Sequence, residues 1–206
     1  MRIRSPIVVV AASAVVVLEG CFGARSNPSQ FYVLTSIAEA GAVEASGEPL
    51  DITVGLGPIS MPDYLSRPQL VTRMGENEVA VSEYERWAGS FEQNLAESLG
   101  ANLAVLLGTH DILTYPWYAT ASVKYAVSVG VVRFERTAQG GADLLAGWEI
   151  RDGASGERYD RGISRISEPV DTTATAASVA ALSRALGRFS RELAGAIREV
   201  HARVGN

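Results

Sequence analysis

Val123, Tyr125, Val127, Val129 and Val131 alternate with Lys124, Ala126, Ser128 and Gly130, and this two-residue period constrains the chain more than any other feature. It demands a strand with one buried and one wetter face. The apolar parity breaks at Val132 and Phe134, as it does at a bulge or at an end buried on both faces. Leu144, Ala146, Trp148 and Ile150 repeat the alternation, Asp152-Gly153 and Ser155-Gly156 supply a turn, and Tyr159 to Ile166 reads as a third strand. A meander of this kind has an apolar face that something must cover.

Two segments have the period of a helix. Trp87, Phe91, Leu95, Leu99 and Leu103 recur every four residues and Leu106 extends the stripe, while Glu92, Gln93, Glu97 and Asn102 are expected to point away from it. Gly108 is the stop signal. The second stripe is Val179, Leu182, Leu186, Phe189, Leu193, Ile197 and Val200, with Asp171 or Thr172 as its N-cap. Small residues dominate Thr173 to Ala181, so that end either packs very closely or frays. Upstream, Gln30–Leu34 and Asp51–Leu56 read as strands, the latter ending at Gly57-Pro58. Ala38–Pro49 reads as a mobile loop, and Met61–Leu65 as a turn with a short helical piece. Gln69–Arg73 and Glu78–Val81 form a hairpin around Met74 to Asn77, and Tyr115-Pro116-Trp117 is a rigid aromatic turn. The expected fold is a single α/β (or α+β) domain in which a mixed β-sheet packs in layers with two main amphipathic helices.

The first 20 residues follow different rules. Arg2 and Arg4 precede the apolar run Ile7–Leu18, and Leu18-Glu19-Gly20-Cys21 contains the only cysteine. A basic start, a short apolar middle and a small residue before the cut describe a secretory signal peptide. The run is too short for the roughly 20 residues of a membrane span. A lone Cys at the cut resembles a bacterial lipobox, although Glu19 stands where a small apolar residue is usual. Cys21 is then the first mature residue and carries three acyl chains such as palmitate, enough for durable anchoring where one chain is marginal. The competing readings are a buried free thiol, or an ordinary cleaved signal with a stray cysteine. The division is 1–20 signal, 21–29 flexible tether and 30–206 folded domain. Phe22 occupies the place where an inner-membrane retention signal has Asp, which favours the outer membrane.

The whole chain carries −5. Loss of residues 1–20 removes Arg2, Arg4 and Glu19, a net +1, and leaves −6. Basic residues are scattered singly, so nucleic acid is not an expected partner. His110 and His201 are the only imidazoles, both expected at the surface, and no metal or other cofactor is indicated. No G-x-S-x-G elbow is present, Gly55-Leu56-Gly57-Pro58 lacks a third glycine, and Asp63, Glu83 and Glu85 are ordinary carboxylates. The expectation is that the chain is not an enzyme. Apolar residues in turn-like places, Met61, Tyr64, Leu65, Tyr115, Trp117 and Tyr118, either clip loops to the core or form a binding surface.

Particular strings carry a family likeness. Phe31-Tyr32-Val33-Leu34, the run from Val54-Gly55-Leu56-Gly57-Pro58 through Met61-Pro62-Asp63-Tyr64-Leu65-Ser66-Arg67-Pro68 to Arg73, Glu83-Tyr84-Glu85-Arg86-Trp87-Ala88, Tyr115-Pro116-Trp117, Val132-Arg133-Phe134-Glu135 and Trp148 resemble the PqiC (YmbA) family of transport-auxiliary lipoproteins. The resemblance covers essentially the whole mature chain. It implies an outer-membrane, periplasm-facing subunit that docks the tunnel of an MCE-domain protein paired with an inner-membrane permease, in lipid transport that preserves envelope integrity. It brings no catalytic or cofactor residues. The contact residues expected toward a partner or a second copy are Met61, Tyr64, Leu65, Arg67, Arg73 and Trp117, with Arg67 and Arg73 alternatively pairing local acids. A subunit capping a tunnel suggests a homo-oligomeric ring. The alternative is a stand-alone periplasmic lipid chaperone with an internal apolar pocket walled by Val123–Val131 and the final helix, and a hydrolase is the third class.

Overall fold

The computed structural model describes residues 27–41, 47–118 and 122–204. The signal, Cys21 and most of the tether lie outside them, as does the middle of the 38–49 loop. The elements in chain order are β1 (Gln30–Tyr32), β2 (Val54–Ser60), β3 (Gln69–Arg73), β4 (Val79–Trp87), α1 (Phe91–Leu107), β5 (Ile112–Thr114), β6 (Tyr125–Thr137), β7 (Ala142–Asp152), β8 (Arg158–Glu168) and α2 (Thr175–Val204).

Among the described residues the sheet is mixed and has eight strands, organised around β6. Along one edge of β6, β2 pairs in parallel with its first half, Val54 opposite Tyr125 to Ser60 opposite Gly130. On the same edge β3 pairs in parallel with its end, Thr72 opposite Arg136 and Arg73 opposite Thr137. β7 runs antiparallel along the other edge, and β8 follows it. β5 lies outside β2, while β4 and then β1 extend from β3. The helices pack on each other, α1 over β2 and β5 and α2 over β6, β7 and β8. This is the layered fold the alternation demands.

Its core explains the pattern. Tyr125, Val127, Val129 and Val131 are buried, as are all seven residues of the α2 stripe. The register of β6 on β7 shifts between Val131 and Arg133. That bulge leaves Val132 exposed and turns Phe134 inward, 5.6 Å from the Phe91 ring. On this face Tyr125, Val127, Val129 and Val131 pack with the α2 stripe in one hydrophobic cluster, where the alternative reading as a lipid chaperone called for an internal apolar pocket. Gly108 ends α1 at φ 67°, where a left-handed residue costs glycine least, and its N–H reaches back to the Ala104 and Val105 carbonyls.

Several boundaries differ from expectation. β2 does not stop at Gly57-Pro58. Its pairing becomes irregular between Leu56 and Ile59, where Pro58 has no N–H to give, and resumes with Ile59 opposite Val129. Trp87 is not the first residue of the helical stripe. It closes β4, and Ser90, in extended conformation, caps α1 by accepting the Gln93 N–H. The Trp87 ring stacks on Phe91 at 4.4 Å, so a strand residue mimics the helical period. The piece at Met61–Leu65 is a turn without a helix. α2 starts at Thr175, past Asp171 and Thr172, with Ser178 N–H donating to the Ala174 carbonyl as its first bond. Its small N-terminal residues pack closely, with Ser178 and Ala181 fully buried. His201 is half-buried, with Nδ1 3.0 Å from the Tyr125 hydroxyl, because the last turn of α2 lies against the start of β6.

Candidate functional site

Both β2 and β3 run parallel to β6 on one edge, so the chain between them must travel before it can pair again. It does so through a turn in which Leu65 N–H donates to the Pro62 carbonyl at 2.9 Å and Ser66 N–H to the Asp63 carbonyl at 3.1 Å. Leu65 is 3% exposed and pins this turn to the core, beside Leu70, Phe91 and Phe134. Met61 and Tyr64 are half-buried on its flank, and Arg67 stands exposed at its far side with no ion pair among the described residues.

The charge under the turn has a defined source. Glu135, 1% exposed, follows the β6 bulge and accepts a 2.7 Å bond from Arg73 Nε. Arg73 also donates to the Tyr64 hydroxyl at 3.3 Å and to the Glu76 carbonyl at 3.2 Å, and its guanidinium lies 5.9 Å from the Tyr64 ring centroid. The bond to Glu135, opposed by burial, pushes the Arg73 guanidinium up; burial first and the Glu135 carboxylate second push the Tyr64 phenol up. Tyr64 is therefore neutral and Arg73 charged at any physiological pH. The other Glu135 oxygen has no partner among the described residues. The group holds a turn, β3 and β6 together and leaves Tyr64 and Arg73 partly open to solvent.

Trp117 lies elsewhere. It covers Gly55, where an added Cβ would meet the indole at 2.9 Å, about 17 Å along β2 from Ser60. Tyr115 meets it edge-on at 5.7 Å, and Tyr115 and Tyr118 are exposed. The candidates thus fall into two places, the turn and the aromatic corner.

Two polar networks escaped sequence reasoning. In one, Glu85 on β4 accepts from Ser82 at 2.6 Å, from Thr175 at the start of α2, and from Arg136 at 3.4 Å. Burial raises its pKa, but these bonds together outweigh it and hold Glu85 below the ordinary carboxylate range. In the other, the extended segment after β1 is strapped to both helices. Leu34 N–H donates to Asn94 Oδ1 (2.7 Å), Thr35 N–H to Ser183 Oγ (3.0 Å) and Ile37 N–H to Asn102 Oδ1 (2.8 Å). Asn102 does not point to solvent as its polarity suggested. It is fully buried and also donates to Ser190 Oγ at 2.9 Å. The available signal was an Asn eight residues from another Asn on the apolar side of α1.

The polar groups described here tie chain segments together, while exposed aromatic and cationic groups sit on the connecting turns. The chain belongs to the family of ABC-type transport auxiliary lipoprotein components, whose model matches residues 32–194. This is a transport-accessory family and not a known enzyme family. Two solved structures share its fold. A Xanthomonas campestris protein of the DUF330 family is 16% identical, with TM-score 0.70 over 84% of this chain and 98% of that one. A second, described as an uncharacterized protein, is 16% identical, with TM-score 0.67 over 83% of this chain and 99% of that one. No curated protein matches the chain.

Proposed function

We propose that this protein is the outer-membrane lipoprotein subunit of an MCE-type lipid transport system, anchored through acylated Cys21 and a 21–29 tether, with the domain from residue 30 docking the periplasmic tunnel. The family match over residues 32–194 carries the reading. It is supported by the resemblance of Leu18-Glu19-Gly20-Cys21 to a lipobox. Among the described residues no helix is long and apolar enough to cross a membrane. The docking face is the turn bearing Met61, Tyr64 and Arg67, which Leu65 and Arg73 hold in place; Trp117 supports a second contact region with Tyr115 and Tyr118. The inner-membrane permease is reached through the MCE protein, and copies of the subunit close into a ring.

The test has two arms. In native cells, labelled palmitate and mass spectrometry should show a triacylated Cys21 as the mature amino terminus. A photocrosslinker at Arg67 should capture an MCE-domain protein, and native mass spectrometry of the solubilised protein should show a closed oligomer. An uncleaved amino terminus, or an Arg67 crosslinker that captures only unrelated envelope proteins, overturns the proposal.

A further inference from the structure

A groove of about 520 Å³ runs between the Thr35–Ala40 segment and the outer face of α2. Its size is that of a small-ligand site. Ile37, Ala40, Ala180 and Gly187 give it an apolar floor, and Arg184, Arg188 and Arg191 line the α2 side. The walls are fixed: Thr35 and Ile37 are strapped by Ser183 and Asn102, and Ile37 sits so close to α2 that an added Cβ on Gly187 would meet Cγ2 at 2.9 Å.

The charges at the mouth are unequal. Arg184 and Arg188 share Glu168, at 3.3 and 3.0 Å, and Glu39 is occupied by the Ser36 N–H and hydroxyl, each at 2.8 Å. Arg191 is exposed and forms no ion pair among the described residues. Three guanidinium groups therefore line the groove beside one carboxylate, Glu168, and Arg191 lies at one end of the apolar trough. An α-helix is about 10 Å across and 5.4 Å per turn, so the space admits little more than one turn, whereas an alkyl chain can lie along it.

From this geometry we infer that the groove binds one long-chain fatty acid, its carboxylate on Arg191 and its chain along Ile37, Ala40, Ala180 and Gly187. A guanidinium fork suits a carboxylate, and burial of each methylene contributes about 0.8 kcal/mol. The site is separate from the docking turn and does not depend on that reading.

The test uses the chain as it is purified from native envelopes, in nanodiscs, photolabelled with dodecanoate that carries a terminal diazirine. Peptide mapping should place the label on the 35–40 and 176–191 segments. Ala180→Trp, which fills the groove from its exposed side, and Arg191→Glu should each lower labelling about tenfold, the loss of one good contact. Ala202→Trp, exposed further along α2, should leave it unchanged, and circular dichroism should show all three variants folded. The matching diazirine amine should label weakly. Equal labelling by the amine, label scattered outside the groove, or indifference to both groove variants overturns the inference. So does a result in which Ala180→Trp removes a protein crosslink and spares the dodecanoate label, since the groove is then a protein-docking face.

Discussion

Replacing Asn102 with alanine tests whether a buried amide, and not hydrophobic contact alone, holds the segment after β1 on the helices. In the native protein the Ile37 N–H has one acceptor, Asn102 Oδ1 at 2.8 Å, and the Asn102 amide is fully buried between α1 and α2. Asn102→Ala leaves that N–H without an acceptor where water does not reach, at about 1–3 kcal/mol. Ser190 Oγ loses an incoming donor but keeps its own bond to the Leu186 carbonyl, 2.7 Å, so its share is small. With the small void added, the expected loss is about 2–4 kcal/mol. For a domain of this size a urea m-value of about 2 kcal/mol/M converts this to a midpoint about 1–2 M lower. Asn94→Ala, whose bond to Leu34 N–H is partly exposed, should cost about 1 kcal/mol. Gln93→Ala, which loses only an exposed bond to Glu97, should cost less than about 0.5 kcal/mol. Equal midpoints for the three variants at unchanged m would refute the account of the strap.

The ion pair under the turn gives a second test. Arg73→Met should destabilise by about 3 kcal/mol because Glu135 is left buried and charged, while Arg73→Met with Glu135→Met should be closer to wild type than Arg73→Met alone, as a double-mutant cycle by urea unfolding will show. The β7–β8 turn gives a third. Asp152 accepts from Ser155 N–H, Tyr159 hydroxyl, Ser155 hydroxyl and Ala154 N–H, and these bonds hold its carboxyl at about 2, below its ordinary value of 3.8. A depressed folded-state pKa means that its contribution to stability is present above 3.8 and is lost as pH falls toward about 2. Carboxyl carbon NMR should find that midpoint, and Asp152→Asn should remove the corresponding slope of stability against pH.

Strands and helices were legible where one residue type carried one message. The β6 alternation and the α2 stripe could be read because each side chain either faces the core or does not, and periodicity records that choice directly. Trp87 misled because a stacked aromatic pair across a strand-to-helix junction has the spacing of one helical turn. Pro58 misled because proline breaks a hydrogen-bond ladder locally without ending the strand. Asn102 misled, and the burial of Glu135 went unread, for a shared reason: each depends on a partner 65 or 62 residues away, and no local pattern encodes that distance. The turn from Met61 to Arg73 was recognisable as a string, but that Tyr64 and Arg73 meet over a β6 carboxylate, and that Trp117 sits apart over Gly55, required the sheet order.

That order also explains why the candidate turn is held so firmly. β2 and β3 occupy successive stretches of one edge of β6, so the connecting turn crosses the place where the edge changes partner. Backbone pairing is weakest there, since β3 contributes only Thr72 and Arg73 to β6. The side chains make good the deficit: Leu65 inserts into the core, Arg73 bonds Glu135, and one residue further Arg136 bonds Glu85. A turn so anchored presents Tyr64 and Arg67 in one fixed arrangement, which lowers the ordering cost of any contact they make. Arg73, Glu135, Arg136 and Glu85 are thus tied to neighbouring segments, and their bonds give the turn and the start of β3 a rigidity that backbone pairing alone does not supply.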